Sequence, residues 1–336
     1  MKPFKLYRTI AFLAIASAIT IAGCKKDDAP EKKQDPGKLA FFVDTFRVYS
    51  SDLEGNGLSK LVDEDEQSGN NYIAQIAYSN SGKFVYGYKT ASGSFQLKIA
   101  NGDGSNKKTL KTLGGNAGIS FLGSFGDKIL YTTLAYNGTT AITEIRTMAE
   151  DGSNDIKLNL PRPTLAARGG ATYVSTTEDY SGANPSSSSY VVKFKNGIWD
   201  EASSFNLPKV SGVLRASAIS DDGNTLAYVS SSDYTTLTYD VFTIDISKRG
   251  NTAKKILSHT FPSTGEGAVQ YPPQLSIALA NGSANILVGY GVDVDKKRYA
   301  TKNDYYYIQN ISIDKGTITK KWKIYGEYGG SLLSNN

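Results

Sequence analysis

The chain has 336 residues, 40% of them hydrophobic and 11% aromatic, with 33 glycines and a formal net charge of +5. That much apolar material supports one large domain or two ordinary ones and excludes a disordered body. One cysteine and one histidine exclude a disulfide scaffold, a Cys-based zinc site and any metal site that needs two imidazoles.

The first element is a targeting segment. Lys2, Lys5 and Arg8 precede an apolar stretch over 10–22, too short to cross roughly 30 Å of hydrocarbon comfortably as a helix. It ends in Ile21-Ala22-Gly23-Cys24, and Cys24 is the one cysteine. These residues resemble the lipobox of bacterial lipoproteins. The resemblance implies a signal peptide over 1–23, cleavage before Cys24, and acylation of that cysteine by chains such as palmitate. An ordinary secretory signal is the alternative. Without residues 1–23 the chain holds 34 Lys+Arg against 32 Asp+Glu, so its positive charge is no argument for a nucleic-acid partner.

Residues 24–37 are charged, contain Pro30 and Pro36, and have no apolar period. They read as a disordered tether reaching about 45 Å when extended. Within it Lys25, Lys26, Asp27 and Asp28 resemble the export signal of Bacteroidetes-type surface lipoproteins, lysine followed by acids just beyond the acylated cysteine. The resemblance implies a lipid-anchored protein on the cell-surface leaflet of the outer membrane. A solvated linker on a periplasm-facing lipoprotein is the competing reading. Acyl chains contribute about 0.8 kcal/mol per buried methylene, so either anchor would be durable.

From residue 38 onward the chain repeats. Asp103-Gly104-Ser105-Asn106 recurs 48 residues later as Asp151-Gly152-Ser153-Asn154, and Glu54-Gly55-Asn56-Gly57 is a weaker copy upstream. Each lies between two β-rich runs, as Asp-Gly and Asn-Gly pairs in hairpins do, because these residues tolerate positive φ. A second hairpin unit is clearest at 216–229 around Asp222-Gly223, and recurs at 75–85, 119–130 and 275–288. Two hairpins make four strands per repeat, the blade pattern of a β-propeller. Five blades can be laid out over 72–112, 116–160, 164–207, 213–260 and 274–325. Residues 38–63 supply three more strands, and a strand over 327–333 would close a six-bladed ring by joining the N- and C-terminal ends. Closure would remove exposed strand edges. The expectation is therefore a single all-β domain over 38–336.

Ser220-Asp221-Asp222-Gly223-Asn224-Thr225-Leu226-Ala227-Tyr228 resembles the strand-turn-strand core of WD40-like (PD40) repeats. The run from Ile99 to Leu110 through Asp103-Gly104-Ser105-Asn106 resembles the following hairpin of TolB-type propellers. The resemblance implies a propeller that serves as a binding platform or, beside a catalytic domain, as a gate.

Strand alternation sends the first and third loops of each blade to one face, and the second loop and the blade-to-blade link to the other. The first and third loops are tight turns. Second loops read as long at 178–189, with Tyr180 and the serine run 186–189; at 231–238, with Tyr234; and at 291–304, with Lys297, Arg298 and Tyr299. The link 261–273 joins them. Long loops in compact domains are commonly functional, and Tyr and Arg anchor interfaces efficiently. Tyr180, Tyr234, Lys297, Arg298 and Tyr299 are therefore the candidate ligand- or partner-binding residues; tolerated insertions on a solvated edge are the bland alternative. The serine run alone reads as flexible loop.

Catalytic signals are weak. His259 closes a strand over 254–259 with no Gly-x-Ser-x-Gly elbow in the chain, so a Ser-His-Asp triad is disfavoured. Asp63-Glu64-Asp65-Glu66, like Asp293 and Asp295, reads as a solvated acidic loop before it reads as a cation site. Tyr305-Tyr306-Tyr307 reads as a third blade strand with rings alternating between inter-blade packing and the exterior. No catalytic residue, metal or cofactor is assigned. The leading expectation is a non-enzymatic, surface-tethered binding propeller whose partner is a small molecule or glycan, or an outer-membrane transporter or other envelope protein. A propeller hydrolase or lyase acting on a glycan or lactone, through acids that leave no sequence trace, and a periplasm-facing TolB-like interaction scaffold stand as alternatives.

Overall fold

Short runs of alternating and continuous apolar residues, separated by Gly-containing turns, fold as antiparallel meanders. The computed structural model describes residues 40–334 apart from 45, 65–70, 80, 116, 126, 139, 160–166, 170–171, 180–185, 196–197, 250–251, 267, 270–271, 281–283, 293–304 and 326–331. All belong to the unit Lys38–Asn336. The expected signal and tether, with Cys24, Lys25, Lys26, Asp27 and Asp28, lie outside the described residues.

In chain order the strands are β1 (Ala40–Asp44), β2 (Arg47–Ser51) and β3 (Ser59–Asp63). There follow β4 (Tyr72–Tyr78), β5 (Phe84–Lys89), β6 (Phe95–Ala100) and β7 (Lys108–Leu113); then β8 (Gly118–Phe125), β9 (Lys128–Asn137), β10 (Thr140–Ala149) and β11 (Ile156–Leu158). The next group is β12 (Ala167–Gly169), β13 (Thr172–Asp179) and β14 (Ser186–Lys195), with three short outer pieces, β15 (Ile198–Trp199), β16 (Phe205–Asn206) and β17 (Val210–Ser211). Then come β18 (Val213–Ile219), β19 (Thr225–Ser231), β20 (Thr238–Asp245) and β21 (Lys254–Thr260), followed by β22 (Leu275–Ala280), β23 (Asn285–Val292), β24 (Tyr305–Ser312) and β25 (Thr317–Tyr325). Last is β26 (Leu332–Ser334).

Five sheets, β4–β7, β8–β11, β12–β17, β18–β21 and β22–β25, are blades drawn from consecutive chain. Their limits fall within a few residues of those expected. The first strands of neighbouring blades touch one another, β4 with β8, β12 with β18 and β18 with β22, which puts them innermost in a propeller. Six equivalent blades are not what forms: five are uninterrupted, and the remaining strands make a composite sheet ordered β26-β1-β2-β3. There Ala40 pairs with Ser334 and Phe42 with Leu332. The reason is length, since β1 to β3 leave one inner position open and only three residues of β26 fill it.

The core is layered. Among the described residues six separate apolar clusters lie between successive sheets, with Val48, Val62, Ile73 and Phe84 between the composite sheet and the β4–β7 blade, and Tyr306, Ile308 and Leu53 on the composite sheet's other side. A middle strand therefore buries both faces. Phe84, Val85 and Tyr86 are each fully buried in β5, as are Ile286, Leu287 and Val288 in β23, which is why these strands read as continuous apolar runs. Each such side chain contributes about 1.5–3 kcal/mol. Tyr306 and Tyr307 enter two different layers, so the expected alternation holds but runs between two blade junctions.

The repeated Asp-Gly-Ser-Asn turns have a structural use. In each, the Asp carboxylate accepts the Ser backbone N–H, at 2.9 Å for Asp103 and 2.8 Å for Asp151. The turn glycine is left-handed (φ +82° at Gly104, +92° at Gly152), and so is the Asn. The outer strands β3, β7 and β21 each carry a bulge, at Leu61, Leu110 and Ile256, where the ladder skips one residue. Each bulge meets a turn glycine of the next blade. A Cβ on Gly104 would collide with the Leu61 carbonyl oxygen; on Gly152 it would lie 3.0 Å from that of Leu110, and on Gly316 2.9 Å from that of Ile256. Glycine is required there both by conformation and by the neighbouring backbone.

Candidate functional site

The face bearing second loops and links is best defined where the β18–β21 and β22–β25 blades meet. The inner strand β18 skips one residue between Leu214 and Ala216, so Arg215 is a bulge residue. Ala74 and Ser120 hold the corresponding bulges in β4 and β8. Bulges re-aim side chains. Here the guanidinium donates from Nη2 to the Pro273 carbonyl oxygen at 2.7 Å and lies 5.5 Å from the Tyr234 ring centre. Tyr234 is 51% exposed. Its loop is ordered by Asp233, whose Oδ1 accepts the backbone N–H groups of Thr235 (2.7 Å) and Thr236 (2.8 Å). A small crevice beside Arg215 is lined also by Thr236, Tyr239, Phe261, Pro272 and Pro273.

Farther out, alternate residues of β25 present amines over tyrosine rings. Lys321 Nζ is 4.4 Å from the Tyr307 ring centre and 5.4 Å from that of Tyr290; Lys323 Nζ is 4.6 Å from that of Tyr305. Lys323 donates to Glu266 of the link at 2.7 Å, which raises its pKa and lowers that of the carboxyl. Among the described residues Lys321 has no ion-pair partner, and burial pushes its pKa down. Below it, Tyr239 donates to Gln309 Oε1, and Gln309 Nε2 lies 3.2 Å from His259 Nε2. With the amide so oriented, His259 accepts at Nε2 and carries its proton on Nδ1. Burial first, and then Lys321, lowers the histidine's pKa. Aromatic faces with amines above them can stack a ring and hold an anionic group.

Of the expected binding residues, Tyr234 is on this surface, while Tyr180, Lys297, Arg298 and Tyr299 lie outside the described residues, as do Asp293 and Asp295. The loop expected over 178–189 is corrected. Glu178 and Asp179 pair with Ser187 and Ser186, and the serine run continues the β13–β14 ladder, because hydroxyl side chains on an alternating strand do not oppose pairing. His259 is a packed strand residue between Tyr239 and Phe261. In the acidic run, Glu64 is buried and accepts from Tyr86 Oη (2.6 Å) and Lys98 Nζ (2.7 Å), so it is a structural anchor and no solvated loop residue. Asp63 pairs with Arg47 and Lys60; Asp65 and Glu66 are outside the described residues. Sequence reading missed Arg215, Lys321, Lys323 and Glu266. Only Lys321-Trp322-Lys323 carried a signal, since alternation in a strand puts both amines on one side.

The fold has relatives of known structure. TolB from Agrobacterium tumefaciens superposes with a TM-score of 0.51 at 12% identity, covering 88% of this chain and 91% of that one. A hypothetical selenium-binding protein from Sulfolobus tokodaii gives 0.52 at 8% identity, covering 90% and 94%. A Bacteroides fragilis structure named for 6-phosphogluconolactonase gives 0.49 at 12%, covering 90% and 99%. No family model matches the sequence, and no curated protein does. At these identities the likeness is one of fold: the resemblance to TolB-type propellers holds at that level.

Proposed function

We propose that the chain is a non-enzymatic recognition propeller, held by lipid on Cys24 at the cell-surface side of the outer membrane, that captures a ligand or docks an envelope or transport partner through its loop face. One observation carries this reading: the Arg215–Tyr234 pair and the Lys321, Lys323 and tyrosine cluster occupy the same junction, on the face where the long loops emerge. Exposed Tyr and Arg are efficient interface anchors. Among the described residues, two inward carboxylates are in structural use, Glu64 with Tyr86 and Lys98, and Asp155 with Lys111, Tyr131 and Arg146. That supports binding over turnover. The Lys25-Lys26-Asp27-Asp28 run supports the surface address.

The test is affinity capture from solubilised outer membranes. Wild type should retain a transporter or a glycan. Tyr234→Ala with Arg215→Ala should lose it by at least about tenfold while melting near the wild-type temperature. Undiminished capture by the double variant removes this face, and turnover of a glycan or lactone by the purified chain overturns the non-enzymatic reading. Protection of the body from protease on intact cells contradicts the surface address.

A further inference from the structure

The junction that holds Lys321 has more hydrogen-bond donors than acceptors. The Lys321 amine rests over Tyr307 and Tyr290, whose rings are stacked with their centres 5.5 Å apart. Lys321 is itself exposed, and the charged groups that act on it are Glu266 and Lys323. Glu266 is already in use: its Oε1 accepts from Lys323 Nζ at 2.7 Å and from Tyr307 Oη at 3.4 Å. Its side chain is 73% exposed. The link that carries it is held by Ala268 N–H on the Gly265 carbonyl oxygen (3.2 Å) and Val269 N–H on that of Pro262 (3.0 Å). Gln309 Oε1 is taken up by Tyr239. The hydroxyl of Tyr290, a fully buried residue, has no partner among the described residues. Two amines and two phenols thus share one carboxylate.

We propose that this junction binds the carboxylate of a small acidic ligand on the Lys321 amine, and that Glu266 restricts the ligand to a single negative charge. The inference rests on the recognition role proposed above and gives that face a ligand class. Its basis is the local charge. Lys321 and Lys323 bring two positive charges and Glu266 one negative, while His259, with its pKa below 6.5, is neutral at pH 7. One positive charge is left over, and a carboxylate cancels it. A phosphate, with nearly two charges at pH 7, would set its second charge against Glu266. An amine seated on aromatic faces is partly stripped of water and fixed in direction, so a charge-assisted hydrogen bond to it needs little further ordering.

Ligand-observed NMR titration of the full chain in mild detergent at low ionic strength tests it, with three probes on a common sugar body. Glucuronate carries one negative charge, glucose 1-phosphate nearly two, and glucose none. Wild type should bind glucuronate with a dissociation constant of about 1 mM, at least about tenfold more tightly than either other probe. Lys321→Met should weaken glucuronate about tenfold with an unchanged melting temperature. Glu266→Gln should tighten glucose 1-phosphate about tenfold and glucuronate less, erasing the preference. Asp314→Asn makes the same change of net charge in the β24–β25 turn and should alter neither. A wild type that binds no glucuronate overturns the proposal, as does binding undiminished by Lys321→Met or a preference kept by Glu266→Gln. Membrane capture fails separately. If capture depends on Tyr234 and Arg215 while the probes ignore Lys321 and Glu266, the ligand class is lost and the recognition role stands. Undiminished capture by the double variant, with the probe preferences as expected, removes the role and keeps the site.

Discussion

Two junctions of the ring are built on one plan and finished differently. Between the β4–β7 and β8–β11 blades, and again between β18–β21 and β22–β25, an outer-strand bulge (Leu110, Ile256) meets a turn glycine (Gly152, Gly316). Beyond that latch they diverge. The first is closed by a carboxylate: Asp155 accepts from Tyr131 Oη (2.7 Å), Arg146 Nε (3.0 Å) and Lys111. The second is packed with rings and neutral groups, Tyr239, Phe261, Tyr290, Gln309 and His259, with the Lys323–Glu266 pair at its rim, and among the described residues Lys321 has no ion-pair partner of its own. A junction that satisfies its charges internally has nothing left to offer a ligand. One finished with aromatic faces and a spare cation does, and it is the one beside the exposed Tyr234.

The sharpest way to break that contrast is to empty each junction in turn. Phe261→Ala removes a buried ring touching Tyr239, His259 and Tyr290 and should cost about 3–4 kcal/mol in denaturant unfolding. Asp155→Ala should cost about 2 kcal/mol, less than a fully buried ion pair because the carboxylate is partly solvated. Equal losses at the two sites would contradict the assignment of one junction to packing and the other to charge. The shared latch should respond alike in both: Gly152→Ala and Gly316→Ala are each expected to cost about 1–2 kcal/mol, from a left-handed φ and a backbone contact.

Titration separates the junctions most cleanly, with the smallest effect. Burial pushes the Asp155 carboxyl up, but hydrogen bonds from Arg146, Lys111 and Tyr131 outweigh it and hold the pKa below the ordinary 3.8. Its stabilisation is present above pH 3.8 and is lost as the pH falls below that value. His259 is lowered too, by burial first and then by Lys321, so its effect runs in the same direction but at a higher pH. Its folded-state pKa lies below 6.5, so protons bind the unfolded chain more readily and stability falls as the pH drops below 6.5. It is the chain's one histidine, so a modest decline in Tm between neutral pH and about pH 5 should vanish in His259→Gln and persist in Asp155→Asn. A decline unaltered by His259→Gln would sink this account.

Much of the ring was legible because its punctuation is chemical. Asp103-Gly104 and Asp222-Gly223 need positive φ, so they announce hairpins wherever they stand, and the blade limits followed from them. The candidate site was less legible because it depends on bulges. One extra residue at Arg215 shifts alternation without changing composition, so nothing in the run Val213-Leu214-Arg215-Ala216 distinguishes an aimed arginine from a solvated one. Glu64 misled for a related reason: its partners Tyr86 and Lys98 belong to the next blade, and a run of four acids gives no hint that one is buried. Ser186 to Ser189 looked like loop because serine is rare in strands, yet pairing across from Thr176 and Thr177 asks little of the side chain.

The composite sheet imposes an order of events. β1 lies between β2 and β26, and residue 40 finds its partner at residue 334, so the first described strand waits for the last. Until then one side of β1 has no ladder partner, and the slow, non-local closing step falls at the end of folding. A chain whose last strand has not yet paired is therefore an open arc, and the ring exists only once residues 332–334 have docked on β1.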